Sequence, residues 1–249
     1  MTSGYDYTYA DCVERSLRAN WDIEDFDDLN LDFSRPFLPE ELAQTASLAM
    51  LDPAERLRLN HIRGYSYAYL FRYIEEYIVR LVGDLADEHQ DPTAKQALGQ
   101  FQADEIKHQE LFSLFENQFL ERFGSPCDVI GDLEATSAAV LNHSRAAVLL
   151  LTSMLEWLTQ AHYLAYFNEP TGAAELDEAY RQLFRLHWVE EAQHARIDSL
   201  ETLRAVAPLT EHQRELAVDE FLDLCAALVL GERGDGPQRL EAVDPGVLC

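Results

Sequence analysis

Cysteine is scarce and scattered. Cys12, Cys127, Cys225 and Cys249 form no CxxC pair, which argues against a disulfide framework or a thiolate zinc site and fits a reducing cytoplasm. Positive charge is also scarce: 19 Lys and Arg stand against 45 Asp and Glu, a net charge of −26. Nucleic acids and anionic membrane surfaces select for basic patches, so neither is expected as a partner. No apolar run reaches the roughly 18 residues a bilayer requires. The opening "MTSGYDYTYADCVERS" lacks the basic-then-apolar order of a signal peptide. Glycine (11) and proline (9) are few, and no stretch combines strand-like alternation with hairpin turns. The expectation is an all-α, cytoplasmic protein.

What remains is a chain of 249 residues, 47% apolar, punctuated where helices should start and stop. "DPAE" at 52–55 offers an Asp cap, Pro at the first helical position and Glu at the third, predicting a helix to about Val82, before Gly83. "DPTAKQ" at 91 opens a second, ending near Phe123 before "GSP". A third is expected from Asp132–Thr136 to Phe167, a fourth from Ala173 to Ala205, and a fifth from the capping box "TEHQ" at 210 to Gly231. Four helices of about 30 residues, each about 45 Å long, suit a four-helix bundle. In a ferritin-like order, residues 123–133 must cross it lengthwise, about 36 Å at about 3.3 Å per residue. Residues 1–50 read as a wrapping arm with a short helix near "PEELAQTASLAM", 51–206 as the bundle, and 207–249 as an extra helix and loose tail, all within one domain.

The chemistry sits in four short segments. "HWVEEAQH" places His187, Glu191 and His194 within an arc of about 60° on one helix face. "ADEIKHQELF" places Glu105 and His108 about 60° apart, a match that alone arises by chance on any acidic helix. In "FRYIEEYIVRLV", Glu75 shares a stripe with Ala68, Phe71, Ile78, Val79 and Val82, whereas Glu76 lies beside Arg72 and Arg80, spaced for surface ion pairs. Glu156 is the only acid between Glu134 and Glu169, set among Leu150, Met154, Leu155, Trp157 and Leu158. A buried carboxylate without a partner takes up a proton or finds a cation; the plain alternative is a salt bridge, for example to Arg145. Around these ligands, Asp104 is placed to hydrogen-bond His108 and Asp198 to orient His194, while Glu190 points off the stripe toward solvent. His89 and His212 read as surface groups, His143 and His162 as core or pocket-lining, and Tyr67, Tyr73, Tyr163 and Tyr166 as aromatic supply.

Each signal is weak alone; together they make two helix pairs, each with one inward Glu and one Glu-x-x-His. That is the carboxylate-bridged dimetal pattern of ferritin-like bundles. Four carboxylates and three imidazoles without a thiolate suit two ions of intermediate hardness, iron or manganese; a single catalytic zinc would use three ligands. "LNHIRGYSYAYLFRYIEEYI", "DEIKHQELF", "MLEW" and "HWVEEAQH" together resemble the ferritin-like diiron oxygenases related to p-aminobenzoate N-oxygenase, over residues 50–206. The resemblance implies a metal set of Glu75, Glu105, His108, Glu156, His187, Glu191 and His194, two irons, O2 as co-substrate and oxygen insertion into a small organic molecule, in relatives often at an aromatic amine nitrogen. A C–H hydroxylase or desaturase, and a non-catalytic iron-binding ferritin-like protein, are the competing readings. An electron donor is required; on so acidic a surface its dock should be locally basic, around Arg56, Arg58 and Arg63. A homodimer is the default assembly.

Overall fold

The computed structural model describes residues 7–19, 21–26, 30–127, 132–168 and 175–230. Among these the chain is all-helical, without a strand. The helices are α1 (Tyr9–Ser16), a 3-10 turn (Ile23–Phe26), α2 (Glu40–Ala43), α3 (Pro53–Glu88), α4 (Pro92–Phe123), α5 (Leu133–Leu141), α6 (Arg145–Tyr166), α7 (Glu178–Val206) and α8 (Glu211–Leu230). None is long and apolar enough to cross a membrane. α3 pairs with α4 and α6 with α7, and the two hairpins close into the bundle.

The helix starts follow the expected capping chemistry. Asp52 accepts from Ala54 N (2.8 Å) and Glu55 N (2.9 Å), and Glu55 returns a bond to Asp52 N (2.8 Å), with Pro53 behind. Asp91 caps α4 through Thr93 N at 3.0 Å, and Gly124 ends it at φ 77°, a conformation glycine adopts without strain. Asp177 caps α7 through Tyr180 N at 2.7 Å; its second oxygen holds Asp32 N of the arm at 2.8 Å. Thr210 and Gln213 close the box that opens α8. Ala173 and Gly231, expected helix bounds, and the tail from 231 lie outside the described residues.

Three boundaries differ from expectation. α3 runs through Gly83 to Glu88 because that glycine is a contact point: a Cβ there would stand 2.4 Å from Gln102 Nε2, whose amide donates to Val79 O at 3.0 Å. The third helix is two. It breaks at 142–144, where Ser144 caps a new helix through Ala147 N at 3.4 Å. The break completes the lengthwise crossing, which 123–133 does not make alone. Ser125, just after α4, meets Arg58 near the start of α3; α5 then lies along α3 with Glu134 on Arg80; and Arg145 of α6 reaches Glu88 at the end of α3. The arm is also more structured than one short helix, since it carries α1 and the 3-10 turn. It is pinned by Asn60, which accepts from Phe37 N (2.8 Å) and Leu38 N (3.1 Å) and donates to Leu38 O (2.7 Å).

Glycine packing yields a test. A Cβ on Gly64 would meet Phe37 Cβ at 2.8 Å, which only a backbone shift relieves, whereas Gly99 on α4 has nothing within 4 Å. Gly64→Ala is expected to lower unfolding free energy by about 1 kcal/mol or more, overpacking outweighing helix propensity. Gly99→Ala should raise it by about 0.5–1 kcal/mol. Urea unfolding of the two variants checks both signs.

Candidate metal centre

Along the bundle axis the interior divides into two apolar cores. One is aromatic, built on Tyr65, Phe112, Phe115, Phe119, Tyr180 and Phe184; the other is largely aliphatic, built on Ile78, Leu81, Leu85, Leu98, Leu149 and Ile197. Between them lies a polar layer, crossed by α3 at Glu75, α4 at Glu105 and His108, α6 at Glu156, and α7 at His187, Glu191 and His194. All seven residues are buried, none more than 4% exposed. Ordinary helix-forming sequence fixes the heights; the cores above and below hold them.

Glu191 is the hub. Its Oε1 lies 3.3 Å from His108 Nδ1, 3.2 Å from His187 Nε2 and 3.3 Å from His194 Nδ1. Glu75 Oε1 stands 3.0 Å from His187 Nε2 and 4.0 Å from His108 Nδ1, while Glu105 Oε1 stands 2.8 Å from His194 Nδ1 and 3.9 Å from His108 Nδ1. Two groups each bring one donor atom per residue within 4.8 Å of one another: Glu105, His108, Glu191 and His194, and beside it Glu75, His108 and His187. Glu156 belongs to neither group and joins carboxyl to carboxyl with Glu191. Arg145, its alternative partner, pairs with Glu88 instead.

A cation fits this layer. Glu75 Oε2, both oxygens of Glu105, His108 Nδ1, Glu156 Oε2, Glu191 Oε1 and His194 Nδ1 are buried with no hydrogen-bond partner. Orphaned buried acceptors are costly, and here they converge. They are the donor types that iron or manganese accepts.

The outward nitrogens are held by acids, but not the expected ones. His108 Nε2 donates to Glu190 at 3.0 Å and His194 Nε2 faces Asp104 at 3.5 Å. Each imidazole is thus oriented from the opposite helix, with Nδ1 turned inward. Glu190, expected in solvent, is 2% exposed because it also accepts from Lys107 Nζ at 2.5 Å. Asp198, expected to orient His194, is buried with both oxygens unpartnered. Sequence reasoning missed Glu190 and Lys107. A signal for Glu190 was present, since it precedes Glu191 as Asp104 precedes Glu105; none marks Lys107.

Among the remaining groups, Glu76 pairs with Arg80 at 2.8 Å, and exposed His212 sits by Glu215. His89 is no plain surface group, since its Nε2 meets buried Glu201 at 3.1 Å and its ring meets Tyr9. His143 marks the α5–α6 break, its Nδ1 3.0 Å from Ala139 O. Tyr73 bonds Thr136 on α5, away from the layer. His162 accompanies Tyr67, 3.1 Å from its hydroxyl, at a cavity of ≈ 10 Å³ bounded also by Phe71, Thr159, Phe184 and His187. That is room for about one water-sized molecule.

The family model that matches this chain is described as predicted metal-dependent hydrolase, and it covers residues 25–208. The chain therefore belongs to that family, whose fold is ferritin-like and of diiron type. No curated protein matches it. Fold and family define a metal-dependent helical bundle with a buried His/Glu site.

Without metal, burial dominates the electrostatics. It pushes Glu105 up to about 8, against the pull of His194, and raises Glu75, Glu156 and Asp198 well above the usual carboxylate range. Burial lowers His108, helped by His187; it opposes the rise of His194, but Glu191, Asp104 and Glu105 outweigh it. Burial likewise opposes the fall of Glu191, which the two histidines and Glu156 drive. The folded state keeps protons on the raised groups that the unfolded chain releases. For Glu105 the stability is full below 4.5 and lost as pH climbs through about 8. His194, raised from 6.5, acts in the same sense; His108, lowered, acts only below 6.5, and Glu191 only below 4.5. Chelator-treated protein should therefore melt at lower temperature at pH 8 than at pH 6.5. Metal ligation needs the deprotonated groups, so the gap in melting temperature between metal-loaded and stripped protein should widen over that range. A gap independent of pH would count against ligation by these groups.

Proposed function

We propose that this chain is a dinuclear iron or manganese enzyme that uses O2 to oxidise a small organic substrate, as an oxygenase acting in the cytoplasm. One observation carries the reading: the orphaned donor atoms of Glu75, Glu105, His108, Glu191 and His194 converge in a layer sealed between two apolar cores. Glu75, Glu105, His108, Glu156, His187, Glu191 and His194 would hold the metals. Two such ions held there would supply the electrons that activate O2.

The chain's own residues prepare that chemistry. Glu190 and Asp104 fix the ring orientations of His108 and His194. Thr159 donates to Glu156 O at 2.8 Å with Glu191 Oε2 at 3.4 Å, setting a hydroxyl between the two carboxylate-bearing segments at the cavity wall. Phe71 and Phe184 pack edge-to-face at 5.2 Å, and Phe71 meets the His187 ring at 5.1 Å, lining that side of the layer with aromatic surface. The resemblance to N-oxygenases favours an amine nitrogen as the site of oxidation; hydroxylation or desaturation at carbon uses the same centre. A reductant must deliver electrons from outside, and a homodimer is the assembly we expect.

The family's description favours a second reading, metal-dependent hydrolysis, in which the ions would generate a bound hydroxide. Purified protein loaded anaerobically with Fe(II) separates the two. Oxygenase chemistry predicts about two metal ions per chain and rapid O2 uptake with a new visible absorption band. His187→Ala should lose most of that uptake and one of the two ions while keeping both Glu-x-x-His pairs. Absence of O2 uptake, with turnover of ester or phosphoester substrates by Zn(II)- or Mn(II)-loaded protein, would replace our reading with the hydrolytic one.

A further inference from the structure

The chain contains two lysines, Lys95 and Lys107. Lys95 is exposed on α4. Lys107 is not: it sits at the edge of the polar layer with its side chain 19% exposed. Its ammonium has three N–H donors and three acceptors around it. Glu190 Oε1 lies at 2.5 Å, the backbone carbonyl of Trp21 at 3.2 Å and Asp104 Oδ1 at 3.4 Å. The indole face of Trp21 lies 4.2 Å from the same nitrogen, a further cation site. Trp21 in turn stacks on the His108 ring at 6.1 Å and 13°.

Asp104 and Glu190 are the carboxylates that orient His194 and His108. Lys107 therefore touches both acids at once, although they arise from different helices and serve different imidazoles. From this geometry we infer that Lys107 is a positioning residue shared by the two metal positions: it holds both outer acids in register and so sets the inward aim of both imidazoles together. The inference rests on the metal-centre reading above. It also gives the arm a purpose. Trp21 caps the ammonium, and Ser16 Oγ of α1 reaches Asp104 at 3.4 Å, so the N-terminal segment closes this network from outside.

The arrangement predicts a signature that separates it from ordinary packing. Asp104→Asn should weaken mainly the binding step that depends on His194, and Glu190→Gln the step that depends on His108. Lys107→Met should weaken both steps, each by about 10–100-fold, the usual penalty for removing a group that supports a metal ligand. Lys107→Arg, which keeps the charge, should recover much of the loss. Mn(II) titration of the metal-free full-length chain, followed by the EPR signal of free Mn(II), reads both steps directly. If wild-type protein takes up no Mn(II) or Fe(II), the metal-centre reading fails and this inference with it. If wild-type binds two ions and Lys107→Met does so with unchanged affinity, or loses only one step, the inference alone fails.

A measurement on the unmodified chain guards against a variant that does not fold. With 15N-lysine labelling, Lys107 should give an ammonium signal protected from solvent exchange, and both Zn(II) equivalents should shift it. A rapidly exchanging signal, or one that Zn(II) leaves in place, overturns the assignment.

Discussion

One carboxylate oxygen with three imidazole nitrogens at 3.2–3.3 Å, in the dry middle of a helical bundle, is the constraint around which this molecule is arranged. Burying a charged group without compensation is expensive, and breaking a buried pair leaves its partner stranded. Glu191 and its neighbours escape that penalty in two ways. Protons settle on Glu75, Glu105 and Glu156 when no ion is present; cations replace those protons when ions bind. Apolar residues of the same volume would pack there more cheaply. A metal-dependent family membership and a set of converging orphan donors give the same account of why they are absent.

Keeping this layer intact is the work of the rest of the fold. The aromatic core on one side and the aliphatic core on the other leave the ligand-bearing turns no freedom to slide. Interiors packed this way rearrange poorly, so capping that fixes where each helix starts also fixes where its ligands stand. Asp52 and Asp91 set α3 and α4, Asp177 sets α7, and the second oxygen of Asp177 ties that helix to the arm. The arm is joined in the same way to α3 through Asn60 and to the metal layer through Trp21 and Ser16.

Much of this was legible because it is periodic. Asp-Pro starts, the Gly124 stop and the 3.6-residue spacing of the ligands are local signals, and the helices and the burial of Glu75, Glu156 and His187 followed from them. What local signals could not carry is what one helix does to another. Gly83 reads as a stop but is where the Gln102 side chain of α4 packs on α3; Glu190 reads as solvated but faces His108 across the bundle; Asp104 and Asp198 lie on plausible stripes, yet the choice of histidine depends on which helix is opposite. Ser144, within the polar run Asn142-His143-Ser144-Arg145, caps the new helix without a Glu three residues on, so no capping box marks the break. Lys107 is the extreme case: nothing about a lone lysine beside a histidine announces two carboxylates and an indole.

The two helix pairs repeat one register, and the departures from that repeat distinguish the two groups of donor atoms. Glu75 corresponds to Glu156, Asp104-Glu105 to Glu190-Glu191, and His108 to His194. Four residues before the ligand Glu, α4 has Phe101 where α7 has His187; four residues after the ligand His, α4 has Phe112 where α7 has Asp198. The apolar half supplies rings to the polar half: Phe101 stacks on His194 at 4.0 Å, and Phe112 meets His187 at 5.3 Å. One position thus gains an imidazole, in the group of Glu75, His108 and His187, and the other gains a buried carboxyl nearby. The two donor groups therefore differ in ligand type and in charge, and the small cavity lies on the His187 side. That inequality comes from two positions on α7, His187 and Asp198, where α4 carries Phe101 and Phe112.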